Sequence, residues 1–140
     1  MLDYHTLMAE HDRLVVHAAA LEKTIDAGDS AAICQAFARL NAELVAHVAK
    51  EDAMVYPRLI AGDDAATSAA AREVIDEFRD LGADWNALIG WATPAAIAAQ
   101  PERFAEEVRG LLARLRGRVR RENELLYPQA LRAAHIRLRG

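Results

Sequence analysis

The chain has 140 residues, 53% of them apolar and 27% charged, with 17 basic against 21 acidic side chains and a net charge of −4. That balance is too apolar for disorder, and the length suits one domain, 1–140, burying roughly two-thirds of its unfolded surface. No run approaches the ~18 apolar residues of a membrane helix, so no membrane role is expected. The start, MLDYHTLMAEHD, reads unlike a secretory leader, and the single cysteine, Cys34, excludes an internal disulfide and fits a reducing cytoplasm.

Helical spacing dominates from the start. Leu7, His11, Leu14, Ala18, Leu21 and Ile25 recur at steps of four and three, which predicts an amphipathic first helix stopped by Gly28. Asp29 or Ser30 is placed to cap the second, whose seam runs through Phe37, Leu40, Leu44, His47, Glu51 and Met54. Pro57 should break or kink it, because proline lacks the N–H and disfavours helix at Tyr56. The polar stretch AGDDAATS reads as a turn, with Asp64 placed to cap a third helix that carries Val74, Phe78, Leu81, Trp85 and Leu88. Thr93-Pro94 ends that helix and Pro101 opens a fourth. The fourth seam is Val108, Leu111, Leu115, Arg118, Glu122 and Leu125, expected to break at Pro128 before a short tail helix over 129–138. β-branched residues are sparse and no hairpin signal occurs. The expectation is an all-α, up-down-up-down four-helix bundle with a short C-terminal helix.

The two halves are alike. His47-Val-Ala-Lys-Glu-Asp-Ala-Met-Val-Tyr-Pro57 aligns with Arg118-Val-Arg-Arg-Glu-Asn-Glu-Leu-Leu-Tyr-Pro128, and Glu10-His11-Asp-Arg-Leu14 with Glu77-Phe78-Arg-Asp-Leu81. The bundle therefore reads as two similar helical hairpins, with matched positions facing one another across the core.

The seams carry His11, His47, Glu51 and Glu122 where an ordinary core would carry leucine. Ionisable groups buried without partners cost several kcal/mol, so something must compensate them. A lone seam histidine is more often a hydrogen-bonded core residue than a ligand, and a single H-x-x-x-E is weak evidence. The combination of a seam histidine, an H-x-x-x-E and an echoed glutamate points to one shared polar site, suited to a transition metal such as iron, manganese or zinc. His5, His17 and His135 fall off the seams and read as surface or supporting residues. Tyr56 and Tyr127 read as packing residues at the end of the bundle.

On the motifs E-H-D-R-L, H-V-A-K-E-D-A-M-V-Y-P and R-V-R-R-E-N-E-L-L-Y-P, nearly the whole chain resembles the hemerythrin-like family of HHE cation-binding domains. The resemblance implies a four-helix bundle that holds two iron ions and binds or senses oxygen or related small molecules. It implies that each half supplies a histidine from its first helix and an H-x-x-x-E from its second. His11, His47, Glu51 and Glu122 match that pattern. Phe78 and Arg118 stand where the second half should bring its histidines, and arginine stays protonated with no lone pair for a metal. A di-iron centre is therefore disfavoured.

Three readings follow. In the one preferred from sequence, the domain is a regulatory or sensing module without di-iron oxygen binding, and Arg118 pairs with Glu51 and Glu122 in place of a metal. In the second, His11, His47, Glu51 and Glu122 hold one iron or other divalent ion, open to oxygen or peroxide chemistry. Glu77 joins that site only if the third helix rotates by roughly 100°. In the third, the Arg-rich end binds an acidic protein partner. That end runs from Arg109 to Arg139 and has nine arginines against Glu122 and Glu124. Nucleic acid is a weaker variant, since no aromatic interleaving accompanies the charge. No nucleophile–base pair, phosphate loop or H-E-x-x-H motif offers a conventional enzyme.

Overall fold

The computed structural model describes residues 4–132, and within them the chain is helical with no strand. Helix α1 spans Tyr4–Ala27, α2 Ser30–Met54, α3 Tyr56–Ala61, α4 Ala65–Trp91, α5 Pro94–Ala99 and α6 Pro101–Arg121. The long helices α1, α2, α4 and α6 form the bundle expected from the four seams. The short α3 and α5 occupy connections for which the seams predict no helix. The expected tail helix is seen as helix over 127–132, and the rest of that expectation lies outside the described residues.

Local chemistry sets the connections. Gly28 takes φ +81°, open to glycine without strain, and its N–H returns to the Thr24 and Ile25 carbonyls. Asp29 then caps α2 by accepting from the Ala31 and Ala32 N–H groups, Asp64 caps α4 through Ala66, and Thr93 caps α5 through Ala96. Ion pairs record the antiparallel order. Arg109 meets Asp26 and Arg116 meets Glu22 between α6 and α1, while Arg114 meets Asp84 and Arg121 meets Glu77 between α6 and α4.

The core has two apolar parts. One gathers Leu14, Leu21, Leu40, Leu44, Leu88, Phe104, Val108 and Leu112 from all four long helices, with Ile97 of α5 closing its end. The other gathers Leu7, Val55, Leu59, Val74 and Leu126 at the opposite end. Truncating any one of these leucines to alanine should cost about 2–5 kcal/mol. Between them lies a buried polar layer of His11, His47, Glu51, Arg118 and Glu122.

The two Tyr-Pro motifs are resolved differently. At the first, α2 ends at Met54 and the chain restarts at Tyr56, as Pro57 demands. At the second, the expected break at Pro128 does not occur. A π-helical turn over Glu122–Leu126 comes first, the Tyr127 N–H reaching five residues back to the Glu122 carbonyl, and the helix then continues. In a regular α-helix the Pro128 ring would press on the Glu124 carbonyl, and the wider turn just ahead relieves that clash.

Candidate metal centre

Helices α1, α2 and α6 with its π turn bring His11, His47, Glu51 and Glu122 to one point. The four are between 0 and 2% exposed, and one donor atom from each lies within 4.8 Å of all the others. First-row ions hold nitrogen and oxygen donors at about 2.0–2.2 Å, so donors on opposite sides of one ion lie about 4 Å apart. The cluster is thus of a size to hold an ion.

Both imidazoles are held from outside. The His11 Nδ1–H donates to Asn123 Oδ1 at 2.7 Å, and the His47 Nδ1–H donates to Glu10 Oε1 at 2.8 Å. Lys50 holds the other oxygen of Glu10. Each Nε2 is left facing the carboxylates, His11 at 3.2 Å from Glu122 Oε1 and His47 at 3.2 Å from Glu51 Oε1.

Tyr56 and Tyr127 pack in the end cluster, as their place in the sequence suggests, but their hydroxyls also enter the polar layer. Tyr56 donates to Glu122 Oε2 at 2.5 Å, and Tyr127 donates to Glu51 Oε2 at 2.7 Å. They reach inward because a buried phenol needs a partner, and each half supplies the carboxylate to the tyrosine of the other. Glu10, Lys50 and Asn123 were not singled out. The repeat marks the pairing of Glu10 with Lys50, while Asn123 aligns with Asp52 and carries no such signal. Glu10 bonds Lys50 as Glu77 bonds Arg121, and these residues occupy matched positions in the two halves. Glu77 is thereby turned toward Arg121 and away from the cluster.

Arg118 completes the layer. Its Nη2 lies 3.3 Å from Glu51 Oε1 and its Nε 3.5 Å from Glu122 Oε2, while its guanidinium carbon sits 3.8 Å above the Phe78 ring. His11 against His47 on one side is matched by Phe78 against Arg118 on the other. Phe78 also walls two surface clefts, one of about 280 Å³ beside Leu44, Val48 and Trp85, the other of about 350 Å³ beside Arg114 and Arg121.

Electrostatics follow from burial and pairing. Burial disfavours charge on Glu51, but bonds from Glu122 and His47 outweigh it and hold its pKa well below the carboxylate range. Burial and the neighbouring Glu51 push Glu122 well up, and the two carboxylates titrate as a coupled pair. Burial lowers the pKa of His11, despite the hydrogen bond it donates to Asn123. For His47, burial is outweighed by Glu51 and Glu10, and the ring's pKa is raised. Burial, reinforced by the carboxylates, raises both tyrosines far above the usual phenol range.

A family model described as the hemerythrin HHE cation-binding domain matches residues 2–130. The chain belongs to this family. Comparison with curated proteins found no match, and comparison with solved structures found none either. In this hemerythrin-like domain the buried donors that the motifs singled out do converge, with two imidazoles and two carboxylates aimed inward. The place matched by repeat to the histidine pair holds an aromatic ring and a guanidinium, neither of which can donate to a metal. His5 is exposed and His17 half-buried, both off the cluster, and His135 lies outside the described residues. No helix among the described residues is long and apolar enough to cross a membrane.

Proposed function

We propose that this hemerythrin-like domain holds one divalent metal ion, with iron the first candidate, and serves as a small-molecule sensor or oxidant-reactive metal protein, not as a reversible di-iron oxygen carrier. The observation that carries the reading is the orientation of the histidines. Each Nδ1–H is bonded to an outer acceptor, Asn123 for His11 and Glu10 for His47, which leaves both Nε2 atoms directed at Glu51 and Glu122. Outer acceptors of this kind fix the tautomer and raise the basicity of metal-binding imidazoles. An ion held there supplies Lewis acidity and, if iron, one-electron chemistry. Arg118 supplies a second, fixed positive charge beside both carboxylates, which favours a single ion over a pair.

A regulatory module that needs no metal is the second reading, and it has its own support. No side-chain polar atom of the cluster is without a hydrogen-bond partner, because Arg118, Tyr56 and Tyr127 already engage the carboxylates. An acidic protein partner for the Arg-rich face ranks lower, since it would have to displace the pairs that Arg109, Arg114, Arg116 and Arg121 make with this chain's own acids. Elemental analysis after anaerobic ferrous loading separates the first two readings: one ion per chain, lost in His47→Ala, supports the metal site, and none removes it.

A further inference from the structure

The Tyr127 hydroxyl stands inside the donor cluster, not beside it. It lies 2.7 Å from Glu51 Oε2, 3.1 Å from His11 Nε2 and 3.4 Å from His47 Nε2. Neighbouring donors around one ion, each at about 2.0–2.2 Å from it, are separated by about 3 Å. The hydroxyl therefore keeps the spacing of a further donor from three of the four residues at once. Its ring is fixed there, stacked on His11 at 5.0 Å with an interplanar angle of 10° and met edge-on by Tyr4.

The repeat supplies an internal comparison. Tyr56, the matched tyrosine, bonds Glu122 and lies 5.3 Å from the Arg118 guanidinium, on the side of the layer without imidazoles. Backbone geometry separates the two further. Glu122 and Tyr127 are five residues apart, and on a regular α-helix such side chains diverge by roughly 140°. The π turn over Glu122–Leu126 lets one continuous helix aim both into the same site. At the matched spacing in the first half, Glu51 and Tyr56 are parted by the break at Val55.

We infer that Tyr127 is a fifth donor of the candidate centre, binding ferric iron as a phenolate alongside His11, His47, Glu51 and Glu122. The inference rests on the one-metal reading above and adds a ligand to it. On binding, the O–H bond of Tyr127 breaks, the oxygen–iron bond forms, and the proton leaves to solvent. The iron is ferric because the loaded ferrous ion has given up one electron to an added one-electron oxidant.

The test is the visible spectrum of protein loaded anaerobically with ferrous iron and oxidised with one equivalent of such an oxidant, with iron content measured on the same samples. A phenolate-to-iron charge-transfer band is expected in the wild type, retained in Tyr56→Phe, and lost in Tyr127→Phe while iron stays bound. Bound iron without that band, or a band that survives in Tyr127→Phe, overturns the tyrosine ligand and leaves the one-metal reading standing. A wild type that binds no iron overturns both. Should Tyr127→Phe fail to fold, resonance Raman spectra of the wild type decide, since excitation in the band must enhance phenolate ring modes and their absence refutes the assignment.

Discussion

Replacing Arg118 with leucine tests whether a buried cation holds the polar layer together in metal-free protein. The guanidinium lies 3.3 Å from Glu51 and 3.5 Å from Glu122, and it stacks on Phe78 at 3.8 Å. Removing one partner of a buried pair costs about 3–5 kcal/mol, because the other charge is stranded. Burial disfavours charge on Glu122 more than on Glu51, so the stranded charge falls mainly on Glu51, which keeps its contacts to Tyr127 and His47. Those contacts place the electrostatic loss at the lower end of the range. Loss of the cation–π contact adds about 1 kcal/mol, and leucine packed on Phe78 returns a similar amount. The net expectation is a loss of about 3 kcal/mol, or about 9 °C in Tm for a domain of this size. Urea unfolding of chelator-treated protein at pH 7 should show the midpoint falling with an unchanged slope. The deficit should persist at pH 4, because Glu51 is held well below the ordinary carboxylate range, chiefly by Glu122 and His47, and stays ionised there. A loss below about 1 kcal/mol at pH 7 would refute the reasoning, since that is the worth of an exposed pair.

Three further outcomes are expected. Glu10→Ala frees the His47 ring, and Asn123→Ala frees that of His11; each should weaken metal binding about 10–100-fold in a competitive chelator titration, and unchanged affinity would show that these acceptors do not orient ligands. The double substitution Phe78→His with Arg118→His places imidazoles at the positions matched to His11 and His47, and elemental analysis should then find a second ion bound; stoichiometry unchanged from the wild type would count against the repeat as the source of the site. Arg116 and Glu22, bonded at 3.1 Å through both terminal guanidinium nitrogens, should show a coupling of under about 1 kcal/mol in a double-mutant cycle at pH 7. Arg116 lowers the pKa of Glu22 from its ordinary 4.5, so the coupling is present above that value and is lost as pH falls through the lowered one; persistence in strong acid would contradict the pairing.

The seams were legible up to their last members because burial acts on whole helical faces; Met54 and Leu125 are exposed, and the π turn buries Leu126 in place of Leu125. Leu7, Leu14 and Leu21 of α1, and Phe37, Leu40 and Leu44 of α2, face the core as their spacing requires. Caps were legible where one side chain decides the matter, as at Asp64. The outcome at Pro128 was not, because a proline dictates only that the regular helix cannot continue unchanged. A break, as at Pro57, and a π turn, as at Glu122–Leu126, both satisfy it, and the packing of Leu126 and Ala130 into the end cluster favours continuation. His11, His47, Glu51 and Glu122 stood out as polar residues on apolar seams. Tyr127 and Glu10 did not, since an amphipathic phenol suits a bundle end equally well, and Glu10 sits next to His11, where a solvent-facing residue is the ordinary reading. Only their three-dimensional partners reveal what they hold.

Metal content tests the central claim most directly. Protein stripped with chelator, loaded anaerobically with ferrous iron and freed of excess should carry one ion per chain by elemental analysis, and His47→Ala should carry none. Two ions per chain would mean that Arg118 leaves the carboxylates to make room for a second metal. No ion in the wild type would mean that the guanidinium and the two tyrosines serve the buried carboxylates by themselves.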